Sequence, residues 1–214
     1  ALIIAVQTLK AADPLIPLTI IVPSNIAGTQ LSDSIARAGE GHLGLQFVTL
    51  PGFAARYAAE SLRGQEKRRL SEIVAPLLLK KLLLEQEGNG FQTHAQQPRF
   101  AQFLYETLTD LKHAGIRPHN LRPFYAQLSS QETLYREKIY NLVDLYTRYE
   151  EFLDEHVLVD EADVFGQAAA QLETARLNET VLLYQGIAYT AQQRRLLEKV
   201  FTTSDSLVFL PWRP

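Results

Sequence analysis

Continuous apolar runs alternate with helix-spaced apolar positions along this chain. Leu2, Ile3, Ile4, Val6 and Leu9 fit one broad helical face, with alanines in the gaps. Asp13 and Pro14 close it, because the residue before a proline is pushed out of the helical region. The spacing predicts a helix over 2–11, although LIIAV taken alone would also suit a strand. LTIIVP, residues 18–23, is a short β-branched run stopped by Pro23, the profile of a strand buried in a parallel sheet. SNIAGTQLSDSIARAG follows with helical character and ends at a glycine. LQFVTLPGF brings a second buried-type strand at about 45–49 and a sharp Pro-Gly turn. FAARYAAESL then resumes helix.

From about 65 to 170 the rhythm changes. RRLSEIVAPLLLKKLLLEQ, QPRFAQFLYETLTDLKHAG, PHNLRPFYAQL, LYREKIYNLVDLYTRYEEFLDEH and EADVFGQAAAQLETA all carry helix-period apolar positions, and Gly and Pro separate several of them. No convincing strand interrupts the block, so it is expected to be almost wholly helical. VLLYQG and SLVFLPW then return as strands, at about 181–184 and 206–210, around the helix AQQRRLLEKVF. Strands alternating with helices predict an α/β fold with helices on both faces of one parallel sheet, into which a large all-helical block is inserted. The expected divisions are 1–64, 65–170 and 171–214.

Composition adds limits. The chain has 214 residues, 46% hydrophobic and 21% charged, as in an ordinary globular protein. No apolar run approaches the length of a membrane span. The apolar start lacks a basic leader and has Lys10 and Asp13 close behind, which argues against a signal peptide. Absence of cysteine excludes disulfides and thiolate metal sites and fits a cytoplasmic protein. Absence of methionine suggests a piece of a longer chain. The net charge of −3 is uneven: 13 basic and 10 acidic groups in 1–130, 3 and 10 in 131–165, 5 and 4 in 166–214. A strongly basic nucleic-acid binder has a different overall balance, but local basic patches are compatible with it.

The candidate chemistry is sparse. No glycine-rich phosphate loop with its lysine occurs, and no Gly-x-Ser-x-Gly elbow. The histidines at 42, 94, 113, 119 and 156 lack ligand spacing. Asp160 and Asp163 could suggest a metal site. An N-cap at Asp160, with acids in the first turn favoured by the helix dipole, is the better reading. Arg63, Lys67, Arg68 and Arg69 form a basic cluster, either a solvated helix face or a set of phosphate contacts. Tyr135, Tyr140, Tyr146, Tyr149 and Phe152 sit among acids, so core packing suits them better than base stacking.

The order and spacing of TIIVPSN, FVTLPGFAARYA, the helical block, LVDLYTRYEEFLDEHVLVDEADVFGQAA and VLLYQGIAYTAQQRRLLEKV resembles the N-terminal region of UvrD-like superfamily 1 helicases. The similarity is greatest to the AddB/RexB type, the B subunit of ATP-dependent helicase-nucleases. It implies a sheet of P-loop NTPase type whose motor function is degenerate, with a PD-(D/E)XK nuclease domain and an iron–sulfur cluster far downstream. It places Pro23, Ser24 and Asn25, and then Thr49, Leu50, Pro51 and Gly52, on the path of single-stranded DNA. Tyr146, Tyr149, Val159, Asp160 and Asp163 match the return from the inserted helical subdomain. Gln185 and Gly186 fall where an active helicase carries the Asp-Glu pair that holds magnesium. A neutral amide binds hard cations less strongly than a carboxylate, so no ATPase chemistry is expected in these 214 residues, and the resemblance puts the nuclease chemistry in the downstream domain. ATP with magnesium, and the iron–sulfur cluster, are cofactors the resemblance attaches to the parent protein. The partners it implies are single-stranded or duplex-end DNA and an AddA-like helicase subunit, with no membrane. Two alternatives stand beside this reading: an active DNA translocase whose phosphate loop lies outside the chain, and a protein–protein scaffold.

Overall fold

In a computed structural model of the chain, the structure describes residues 2–38, 43–86, 88–97, 99–127, 133–174, 177–184 and 188–209. Along the chain lie α1 (Leu2–Ala12), β1 (Leu18–Val22), α2 (Asn25–Arg37), β2 (Leu45–Thr49), α3 (Leu50–Gly64), β3 (Arg68–Arg69), α4 (Ala75–Glu85) and α5 (Phe100–His113). They continue with α6 (Pro118–Gln127), α7 (Thr133–Glu155), β4 (Leu158–Val159), α8 (Glu161–Thr174), β5 (Thr180–Tyr184), α9 (Ala191–Thr203) and β6 (Ser206–Phe209). The chain divides into two compact units. One is Ala1–Ser61 with Phe165–Pro214, and the other is Leu62–Val164.

The first unit carries a four-stranded parallel sheet in the order β2-β1-β5-β6. The four runs expected to share one parallel sheet do so, Leu210 alone lying outside the described residues. β1 is central and buried along its whole length, as its uninterrupted β-branched sequence requires. Leu2 and Val6 of α1 and Leu31 and Ile35 of α2 pack with Leu18, Ile20, Val22 and Leu182 on one face of the sheet. LIIAV is therefore helix, and its apolar side is spent on the sheet. Thr19 points to the opposite face, where the Arg56 and Tyr57 side chains of α3 approach it and Glu179. This arrangement follows from handedness. The step from β1 to β2 and the return from β2 to β5 run in opposite directions across the sheet, so right-handed crossovers require helices on opposite faces.

The second unit is a helical core in which Leu79 and Leu83 of α4, Leu108 of α5 and Leu145, Tyr146 and Tyr149 of α7 are fully buried. The Tyr146 hydroxyl donates to the carbonyl of Ile116 at 2.9 Å, satisfying its polar end. Core packing holds for these two tyrosines but not for Tyr135 and Tyr140, which are 64% and 55% exposed. The start of α7, residues 135–138, is solvent-facing throughout, so aromatic spacing there does not mark a buried face.

One expectation is corrected. The 65–170 block contains a strand pair, β3 with β4, parallel in the register Arg68–Leu158 and Arg69–Val159. The Arg68 N–H donates to the Val157 carbonyl at 2.9 Å and the Leu70 N–H to that of Val159 at 2.8 Å. Glu66 after α3 and Val157 after α7 both have positive φ, 54° and 55°. Each such residue ends the helical path and turns the chain into an extended segment. Two-residue strands leave no alternating pattern to recognise. No helix among the described residues is long and apolar enough to cross a membrane.

Candidate nucleic-acid interface

The register Val22–Thr49 ends β1 and β2 level with each other. The segments Pro23–Ser24–Asn25 and Leu50–Pro51–Gly52 therefore leave the sheet side by side at its carboxyl edge. Ser24 Oγ accepts from the Ala27 N–H at 3.2 Å and caps α2. Thr49 Oγ1 accepts from the Gly52 N–H at 3.3 Å in the first turn of α3. Each hydroxyl uses a lone pair on its helix and keeps a proton with which to donate. The positive ends of two helix dipoles meet this edge. A Cβ on Gly52 would lie 3.0 Å from Val48 Cγ2, so glycine lets α3 begin this close to the strand. Pro23, Ser24, Asn25 and Pro51 are exposed, whereas the Leu50 side chain is only 6% exposed and belongs to the core.

A pocket of about 290 Å3 opens at the ends of β1 and β5, lined among others by Pro23, Pro51, Tyr184, Tyr189 and Gln193. β1 has β2 on one side and β5 on the other, so the strand order reverses here. Open α/β sheets place their ligand crevices outside the carboxyl ends of strands at such a reversal. Gln185 and Gly186, which follow β5, lie outside the described residues.

Arg63, Lys67, Arg68 and Arg69 belong to the second unit. Arg68 and Arg69 are exposed on β3. The Lys67 ammonium is 3.8 Å from the Asp154 carboxylate, which is 79% exposed, a surface pairing of small energetic weight.

Asp160 and Asp163 take part in a cluster that sequence reasoning missed. The Lys112 ammonium donates to Glu150 at 2.7 Å, Asp160 at 2.7 Å and Asp163 at 2.6 Å. Arg117 joins Glu150 at 2.6 Å and Asp163 at 2.7 Å. Asp160 Oδ1 also accepts from the Asp163 N–H at 3.2 Å, the expected N-cap of α8, and Tyr149 donates to its other oxygen at 3.3 Å. Among the described residues these three carboxylates are the group spaced to hold a metal ion, with ligand atoms within 4.8 Å of one another. Lys112 supplies the cation they surround. Burial alone would lower the Lys112 pKa, but Asp160, Asp163 and Glu150 together raise it. Burial outweighs Lys112 at Asp160 and at Glu150 and raises both carboxyls. At Asp163 burial is overcome by Lys112 and Arg117, and the carboxyl is lowered. The arrangement is a support in which two cations, Lys112 and Arg117, hold three carboxylates together. One signal was legible: Leu104, Leu108 and Lys112 are spaced by four, so the lysine continues a buried stripe of α5.

The family model described as "ADDB, N-terminal" matches residues 5–210. The chain belongs to the AddB N-terminal family. No curated protein matches it. The family match spans both units, so the sheet edge at Ser24 and Thr49 and the Lys112 cluster are both parts of an AddB N-terminal domain.

Proposed function

We propose that this AddB N-terminal domain is a helicase-like, DNA-interacting part of a recombinational-repair helicase-nuclease subunit, without ATPase or nuclease chemistry of its own. The observation that carries the reading is the level ending of β1 and β2. It brings Ser24, Asn25 and Thr49 to one edge, with two helix amino termini behind them. Hydroxyls, an amide and backbone N–H groups are the donors that hold phosphate oxygens without reading bases. The family match supports the biological setting. The parallel sheet with a reversal beside β1 is compatible with a P-loop NTPase ancestry, and Gln185 supplies a neutral side chain where a motor needs a magnesium-holding acid. Single-stranded or duplex-end DNA is the ligand, an AddA-like subunit the motor partner, and the cytoplasm the compartment. ATP, magnesium and the iron–sulfur cluster act in other parts of the assembly.

The test is binding of labelled single-stranded oligonucleotides of several sequences, followed by anisotropy across a salt series. Sequence-independent binding that weakens steeply with salt is expected, because phosphate contacts release counterions. Charge reversal at Lys67 and Arg68 is expected to weaken it for every sequence. Binding that ignores the reversals, or that ignores salt, would favour the scaffold reading.

A further inference from the structure

α4 is apolar nearly all the way round. Its inner side, Ala75, Leu78, Leu79 and Leu83, is buried in the core of the helical unit. Its outer side carries Leu77, 63% exposed, and Leu84, 42% exposed, and the turn leading into it adds Ile73 at 82% and Val74 at 47%. Leu77 and Leu84 are seven residues apart and so stand in line two turns apart. Lys80 stands between them and Lys81 beside it. A surface helix normally turns polar side chains outward, and a helix apolar on every side is one that is covered. Exposed aliphatic side chains gathered in this way mark an interaction surface.

The geometry points to the outer face of α4 as a docking surface for an acidic amphipathic helix of a protein partner. The occupant follows from the chemistry of the face. Its large side chains are aliphatic, which suits a leucine stripe laid along a groove. Stacking of nucleobases would call for aromatic rings. Its cations lie within the apolar line, where they meet carboxylates flanking a partner's stripe, and their methylene stems extend the apolar area. α4 itself carries Lys80 and Lys81 against Glu85 alone, a net positive charge that also favours an acidic partner. Lys81 is 3.8 Å from Glu85, but both side chains are more than half exposed, and such a pair yields readily to a better one. A second copy of this chain fits less well. Its acidic helix α7 spends Leu145, Tyr146, Tyr149 and Leu153 on its own core.

The test uses the 214-residue chain and three labelled, helix-stabilised peptides. One has a leucine stripe flanked by glutamates, one the same stripe flanked by lysines, and one the first composition scrambled. The glutamate-flanked helix is expected to bind best. Leu77→Glu should weaken it about tenfold or more, as loss of a central anchor does. Lys80→Glu with Lys81→Glu should reverse the preference toward the lysine-flanked helix, a change that mere destabilisation cannot produce. Circular dichroism melts check that the variants stay folded. The proposal is overturned if no peptide binds, if all three bind alike, or if Leu77→Glu changes nothing. It is equally overturned if an oligothymidylate displaces the peptide, or if gel filtration shows a dimer that Leu77→Glu dissolves.

Discussion

Lys112 Nζ and Asp160 Oδ2 lie 2.7 Å apart, with side chains only 1% and 2% exposed. The pair joins the end of α5 to the start of α8. Lys112→Met would leave Asp160, Asp163 and Glu150 facing one another with Arg117 alone. Removing one partner of a buried ion pair costs about 3–5 kcal/mol, since the other charge is left uncompensated in the interior. Urea unfolding should show a loss of that order for Lys112→Met. The double variant with Asp160→Asn should lose less than the sum of the singles, because the two residues share one interaction. Additive losses, or a single variant within about 0.5 kcal/mol of the parent, would sink this account.

The same cluster sets the alkaline limit of the helical unit. Burial works against the charge on Lys112, but its three carboxylates raise it above the ordinary 10.5. Burial, with carboxylates close by, raises the Tyr146 and Tyr149 phenols above 10.0. In the folded chain all three keep their protons where the unfolded chain loses them. Stability is therefore complete below about pH 10 and falls as pH climbs past it. On the acid side the raised carboxyls of Asp160 and Glu150 oppose the lowered one of Asp163, so the net change is smaller. Calorimetric melts from neutral to strongly alkaline pH should show a steep drop in Tm above about pH 10. Lys112→Met should make that drop shallower while lowering Tm at neutral pH.

The strands of the sheet were legible because each is a short apolar run bounded by Pro, Gly or polar residues. The two-residue strands β3 and β4 were not, since they arise where chain segments separated by some 90 residues meet. The buried lysines fall between these cases. Leu104, Leu108 and Lys112 share one stripe, as do Leu2, Val6 and Lys10. A lysine in such a place looks like the border of an apolar face. What lets it lie inside comes from far along the chain. Lys112 finds carboxylates 38, 48 and 51 residues away, and Lys10 donates to the carbonyls of Ile16, at 2.6 Å, and Leu43. Their spacing lines these side chains up with the core face, but periodicity carries no information about their partners. The sheet edge was named by resemblance, and its capping hydroxyls became visible only with the register.

A second functional expectation concerns nucleotide. Gln185 is an amide in the segment after β5, the strand that borders the crevice beside β1. Magnesium-assisted phosphoryl transfer needs a carboxylate near the metal shell. The purified chain should show no magnesium-dependent release of phosphate from ATP above a protein-free control. Steady turnover that disappears on Gln185→Ala would overturn the reading.

The sheet edge offers a cleaner separation of stability from binding. Ser24 caps α2 through Oγ and is exposed at the edge where phosphates are expected. Aspartate is as good an N-cap as serine, whereas alanine loses about 1 kcal/mol at such a site. The two substitutions therefore pull in different directions. Ser24→Ala should lower Tm while removing one donor from the DNA path, with a small loss of affinity. Ser24→Asp should keep Tm near that of the parent, but it sets a negative charge against the phosphate backbone and should weaken single-strand binding severalfold, most at low salt, where charges are least screened. Melting curves and anisotropy on the same preparations decide the matter. If affinity follows Tm across the two variants, the edge acts only through folding. If Ser24→Asp binds as tightly as the parent, DNA does not pass this edge.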